Sequence, residues 1–222
     1  MLSIPNPKKA IYNMFCPFGL QNNPNKNMST IDYITIHNTD NYNSTATAKG
    51  HAQYQFSGSG GSQTSWHYTV DDQEIWQSFE NQRMCWHAGN NIGNSTSIGI
   101  EICVNKRSEY LQTCVNTAWL VSTLLKTYKL GLDRVVQHNY WSGKNCPENL
   151  RSGAWGVKWT DFTAMVNQFI LGESGTGKIT DIRQAIDKLK NKGIINSPDY
   201  WLANYGKLQY LDLLIINMSN SL

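Results

Sequence analysis

The segment YITIH, Tyr33 to His37, sets Ile34 and Ile36 against Tyr33, Thr35 and His37. The segment SIGIEI, Ser97 to Ile102, likewise sets Ile98, Ile100 and Ile102 against Ser97, Gly99 and Glu101. An apolar residue at every second position is the pattern of a strand with one buried face, and it leaves His37 and Glu101 on the opposite face. Two more strands, WHYTV (66–70) and EIWQSF (74–79), flank Asp71-Asp72-Gln73, which suits a hairpin turn, and a fifth runs through RVVQH (134–138). Apolar residues recur at helical spacing over Ala46–Phe56, Leu111–Tyr128 (Leu111, Val115, Ala118, Val121, Leu125) and Thr160–Ile170. The order β, α, β, β, β, α, β, α predicts an α/β chain with a mixed central sheet flanked by helices.

One break divides the 222 residues: LGESGTGK at 171–178, small and flexible between two helix-like stretches. We therefore expect a first domain over 1–171, a linker over 172–178 and a small helical module over 179–222. In the module Ile182, Ala185, Ile186 and Leu189 fall at helical spacing, Gly193 is a stop and Ser197-Pro198 a start, and a third helix is expected over Leu208–Met218.

An apolar fraction of 40% with 16% charged residues excludes a disordered chain. The net charge of 19 − 16 = +3 is too small and too evenly spread to predict nucleic-acid binding. No stretch approaches the roughly 18 apolar residues of a membrane span, and MLSIPNPKKAIYNMF lacks the order of a secretory signal, so synthesis and retention in the cytoplasm are expected. Oligomeric state has no signal. Five cysteines, far apart and with no CxxC pair, argue against a disulfide framework. Cys16, Cys85, Cys103 and Cys114 are read as buried small hydrophobes.

Among the five histidines, His37 ends a strand on its polar face, and His138 ends another with Cys146 eight residues on, across a loop containing Gly143. Two imidazoles and a thiolate supply the three protein ligands of a catalytic zinc site, the fourth position being left to water. The same residues also allow ordinary structural histidines and a buried cysteine, or a Cys146 nucleophile with His138 as its base. Glu101, alone among isoleucines, is either a solvated outer-face carboxylate or a group in a cleft, and Lys144 is either a plain loop cation or a partner for an oxyanion. His51 and His67 are read as structural.

ITIHNT (34–39), SWHYTVDD (65–72), WHAGNN (86–91), NSTSIGIEIC (94–103) and HNYWSGKNCP (138–147), in this order, resemble the zinc-dependent N-acetylmuramoyl-L-alanine amidases of the type 2 amidase and peptidoglycan-recognition-protein superfamily. The resemblance covers about residues 10–170 and is nearest to endolysins and autolysins of Gram-positive bacteria and their phages. It implies that His37, His138 and Cys146 bind Zn2+, that Glu101 is the catalytic carboxylate and that Lys144 assists at the oxyanion. The implied substrate is bacterial peptidoglycan, cut between N-acetylmuramic acid and L-alanine, with the enzyme reaching the wall only after release from the cell. Trp66, Trp86 and His87 are candidate cleft walls. Some members carry a Tyr where this chain has Trp66, so Glu101 is expected to bear more of the proton transfer unless Tyr68, two residues along the strand, substitutes. By domain position the helical module would bind the cell wall. The alternative is a non-catalytic peptidoglycan receptor on the same fold, though such members tend to lack zinc ligands and here all three positions hold competent residue types.

Overall fold

The computed structural model describes residues 4–106, 108–172, 182–204, 215–216 and 218–219, and the chain divides into two compact units, Met1–Asn167 and Gln168–Leu222. In the first unit the strands β1 (Ile11–Asn13), β2 (Tyr33–Asn38), β3 (Tyr68–Val70), β4 (Ile75–Gln77), β5 (Ser97–Ile102) and β6 (Val135–Gln137) form one sheet in the order β1-β4-β3-β5-β2-β6. Only β3 and β4, joined by the Asp71–Glu74 turn, pair antiparallel; the other neighbours are parallel. The sheet is therefore mixed, and it is flanked by helices as the periodicity implies.

The two isoleucine strands, β2 and β5, lie side by side in register: Ile34 opposite Ile98, Ile36 opposite Ile100 and His37 opposite Glu101. Ile34, Ile36, Ile98, Ile100 and Ile102 are all fully buried. Full burial of each is worth about 1.5–3 kcal/mol, so the alternation fixes which face His37 and Glu101 share. Helix α1 (Ala48–Phe56) lies along β3 and β4, and α3 (Tyr110–Tyr128) packs on β5 and β3 through a long buried stripe that includes Val115, Ala118 and Val121. α1 is capped by Thr47, whose side chain accepts from Gly50 N–H.

Several elements depart from the expectation. β1 was not foreseen: all three of its residues are exposed, so this edge strand has no buried face to impose a period, and its visible side-chain tie is Tyr12 stacked on Trp76 at 5.2 Å. The short helices α2 (Asn91–Thr96), α4 (His138–Ser142) and α5 (Glu148–Ser152) carry no periodic signal. α2 is held instead by the Asn90 side chain, which accepts from Ile92 and Gly93 N–H. His138 does not end a strand; it opens α4 directly after β6. Trp66 and His67 lie before β3, with the Trp66 backbone clamped by the Gln55 amide, which accepts from Trp66 N–H at 2.9 Å and donates to Trp66 C=O at 3.2 Å.

Helix α6 (Trp159–Gly172) follows in the chain, burying Phe162, Met165 and Val166. In the second unit α7 (Ile182–Asn191) and α8 (Pro198–Asn204) surround a small core of Ala185, Ile186, Leu189, Ile215 and Ile216, with Ile182, Ile195, Trp201 and Leu202 partly buried against it. Nearly all of the expected linker, and most of the expected helix over Leu208–Met218, lie outside the described residues. Among the described residues no helix is long and apolar enough to cross a membrane.

His67 is a structural histidine with both ring nitrogens committed: Nδ1 accepts from Gly99 N–H at 3.0 Å and Nε2–H donates to Arg83 C=O at 2.8 Å. Its burial holds the imidazole down at about 4, against 6.5 for a free histidine. The unfolded chain thus takes up this proton at a higher pH than the native one, and native stability falls as pH drops from 6.5 toward 4. Urea unfolding followed by tryptophan fluorescence is expected to show a loss of about 2 kcal/mol between pH 8 and pH 5 from this group; an unchanged midpoint would contradict its neutrality.

Candidate active site

A cleft of about 440 Å³ opens on the polar face of β2 and β5, and eight of the nine residues singled out in the sequence line it: His37, Trp66, Trp86, His87, Glu101, His138, Lys144 and Cys146. Several local devices bring the central ones together. His37 and Glu101 come from the β2–β5 ladder, and His138 comes from the start of α4. Cys146 is folded back beside them by Asn139, whose side-chain amide donates to the carbonyls of Gly143 and Lys144 at 2.9 Å each and whose N–H donates to Cys146 C=O at 3.0 Å.

His37 Nδ1 faces His138 Nδ1 at 3.1 Å and Cys146 Sγ at 3.9 Å, and one ligand atom from each residue falls within 4.8 Å of the others. Tetrahedral bonds of about 2.0–2.1 Å to one ion would set two imidazole nitrogens about 3.3 Å apart, so the donor set fits a zinc-type metal with three protein ligands. Burial first, then the neighbouring His87, His138 and Lys144, holds His37 neutral, while burial pushes the Cys146 thiol up to about 12. Without a cation that thiol stays protonated, the wrong state for a nucleophile paired with His138, whose own imidazole burial also lowers.

Glu101 Oε1 is 4.0 Å from His37 Nδ1, and its Oε2 is buried with no hydrogen-bond partner among the described residues. Burial pushes this carboxyl up to about 8, against the downward pull of Lys144. It is a cleft-floor carboxylate, not an outer-face one. Lys144 sits at the exposed rim, and Trp66 and Trp86 contribute to the walls.

Tyr68 is a correction. It does not line the cleft: it is buried beside Ile100 in the sheet register, and its hydroxyl donates to Asn81 Oδ1 at 2.6 Å. The period-two link to Trp66 fails because Trp66 precedes the strand. His87 lines the cleft but offers it no free polar atom. Its Nδ1 is 3.0 Å from His37 Nε2 and its Nε2 is 3.2 Å from Ser97 C=O, so both of its polar atoms are engaged within the protein. The ring lies over Gly99, where a Cβ would stand 2.7 Å from it, so only glycine fits beneath.

Asn38, Gln63, Thr64, Gly89 and Asn94 also line the cleft without having been foreseen. Asn38 adjoins His37, which was a usable signal. Asn94 had none: its role lies in accepting from His87 N–H at 3.0 Å and Ala88 N–H at 2.8 Å, a pairing created only by the turn into α2. His51, buried in α1 with its Nδ1 bonded to Thr47 C=O, stays away from the cleft.

If the three donors act together, titration with Co2+ is expected to give a thiolate-to-metal charge-transfer band in proportion to bound metal, abolished by Cys146→Ser. Binding with no such band would separate Cys146 from the metal.

The family model described as N-acetylmuramoyl-L-alanine amidase matches residues 27–149. The chain is 44% identical over 138 residues to N-acetylmuramoyl-L-alanine amidase XlyA of Bacillus subtilis (strain 168), covering 61% of this chain and 46% of the relative. It is 42% identical over 139 residues to CwlH of the same organism, covering 61% and 54%. The chain thus spans about half the length of the curated relatives it matches. Among solved structures, the catalytic domain of XlyA superposes with a TM-score of 0.65 at 41% identity, covering 71% of this chain and 99% of that one. A mutant endolysin from Bacillus subtilis gives 0.65 at 40%, covering 72% and 99%.

Proposed function

We propose, for this chain, which belongs to the N-acetylmuramoyl-L-alanine amidase family, a zinc-dependent hydrolysis of the amide between N-acetylmuramic acid and L-alanine in Gram-positive peptidoglycan. The observation that carries the reading is the sharing of one cleft floor by a two-histidine, one-cysteine cluster and a carboxyl group with one oxygen unpartnered among the described residues. In this reading the enzyme is an endolysin that lyses cells from within, in keeping with the endolysin name carried by one structural neighbour.

His37, His138 and Cys146 would hold the zinc. When bound, it supplies Lewis acidity toward the scissile carbonyl and makes water a competent nucleophile near neutral pH. Glu101, whose Oε2 has no partner among the described residues, takes the proton from the attacking water and returns it to the departing amino group of L-alanine, so that amide and water end as carboxylate and amine. Lys144 brings a positive charge to the rim, where it stabilises the negative charge that develops on the carbonyl oxygen. Trp66 offers a wall and no proton: its indole N–H donates to Thr69 Oγ1 at 2.7 Å. With Tyr68 outside the cleft, Glu101 is left as the proton carrier. The segment 179–222 would be a small wall-binding module.

The deciding experiment digests purified Gram-positive peptidoglycan and assays new L-alanine amino termini beside new reducing sugars. Alanine termini are expected, to vanish with a zinc chelator and return with Zn2+. New reducing ends would mean a glycosidase, and wall binding without product would mean a receptor. Lys144→Ala is expected to lower the rate about 10²–10³-fold, and Glu101→Gln about 10²–10⁴-fold with zinc still bound; a Glu101→Gln enzyme of normal rate would remove the proton-carrier role.

A further inference from the structure

The segment Trp86–Gly89 crosses the cleft behind both histidines of the metal-competent cluster. His87 reaches His37 Nε2 at 3.0 Å, and the His138 ring hydrogen-bonds the backbone of Ala88. Neighbouring residues of one short segment therefore hold the far sides of both imidazoles.

The hydrogen-bond inventory fixes where the protons are. Ser97 C=O, 3.2 Å from His87 Nε2, can only accept, and the Ser97 hydroxyl 3.5 Å away donates instead to Gly93 C=O at 2.6 Å, so His87 carries its proton on Nε2. A neutral ring protonated there offers Nδ1 as an acceptor. His37 Nε2, 3.0 Å from that atom, must then donate, which leaves His37 Nδ1 a bare lone pair. That lone pair is the atom facing His138 Nδ1 and Cys146 Sγ. The relay runs from a backbone carbonyl through two imidazoles to the point where the three donors converge, and each bond sets the tautomer of the next ring.

The relay is itself braced. Asn94 Oδ1 accepts from the N–H groups of both His87 and Ala88, so one side-chain oxygen fixes the backbone from which both histidines are held. Gly93 lets this backbone come close: a Cβ there would stand 2.6 Å from the Ala88 Cβ and 2.7 Å from the Trp141 ring. Gly99 makes room for the His87 ring from the sheet side.

We propose that His87 is a positioning residue that fixes the tautomer and orientation of His37 for metal binding, and that Asn94 holds His87 and Ala88 so that His37 and His138 are set together. This rests on the zinc reading above. His87 touches neither substrate nor metal in this role; it acts through His37, in the manner of the outer hydrogen-bond partners that orient metal-bound histidines.

The test measures zinc affinity of the full chain by competition with a chromophoric chelator. It compares wild type with His87→Leu, which removes the acceptor, and His87→Asn, which is close to leucine in size and can place an acceptor near the former Nδ1. The leucine variant is expected to bind zinc about 10–100-fold more weakly, with asparagine recovering most of the loss. In parallel, ¹⁵N spectra of the zinc-free wild-type imidazoles are expected to show both His37 and His87 protonated at Nε2. Zinc bound by wild type and equally by the leucine variant would overturn the inference while leaving the site reading intact. A wild-type chain that binds no zinc would remove both. Should the leucine variant fail to fold, the wild-type spectra decide, since a His37 protonated at Nδ1 contradicts the relay.

Discussion

The pairing of β2 with β5 is the constraint on which the rest of the cleft depends. Because the strands run parallel and in register, the isoleucines that drive them together also set His37 directly beside Glu101. A shift of one residue would turn one strand's isoleucines into the cleft and its polar residues into the core, at a cost of several buried aliphatic side chains. The same ladder carries Gly99, whose missing side chain admits the His87 ring, and on its other side Thr69 of β3 lies opposite Glu101. Ordinary hydrophobic burial on one face thus positions the polar groups on the other.

That polar face is held at an electrostatic cost. Burial pushes each group toward its neutral form: His37 downward, Cys146 up to about 12 and Glu101 up to about 8. These are the states of the polypeptide by itself, with desolvation uncompensated. A divalent ion at the three donors would invert the balance and favour thiolate and carboxylate. Glu101 Oε2, buried with no hydrogen-bond partner among the described residues, belongs to the same picture.

Much of this was legible in the sequence where a period could be imposed. β2 and β5 announced themselves because one face of each is fully buried, and α3 because its stripe recurs over 19 residues. β1 was silent because an exposed edge strand has no reason to alternate, and the helices of five or six residues because their caps, not their faces, define them. In the site, histidine and cysteine spacing suggested three ligands without deciding among readings, and the resemblance of five ordered motifs made the assignment specific. What no local pattern carried was the direction of side chains outside regular structure. Trp66 is turned by the Gln55 clamp, and Tyr68 is drawn off to Asn81. His87, placed by motif among the cleft walls, spends both nitrogens on His37 and Ser97.

The choice of a neutral imidazole behind His37 also has a reason in charge balance. With zinc at the site, a Cys146 thiolate and a Glu101 carboxylate would cancel the ion's two positive charges, and Lys144 would add one at the rim. A carboxylate in place of His87 would orient His37 equally well and make it a stronger donor. It would also place another negative charge in a buried position, in the same cleft as a carboxyl already pushed upward by burial. An imidazole relaying to the Ser97 carbonyl gives the same directional hydrogen bond with no net charge. With zinc bound, it would add no charge behind His37, and the negative charge of the cleft floor would stay with Cys146 and Glu101.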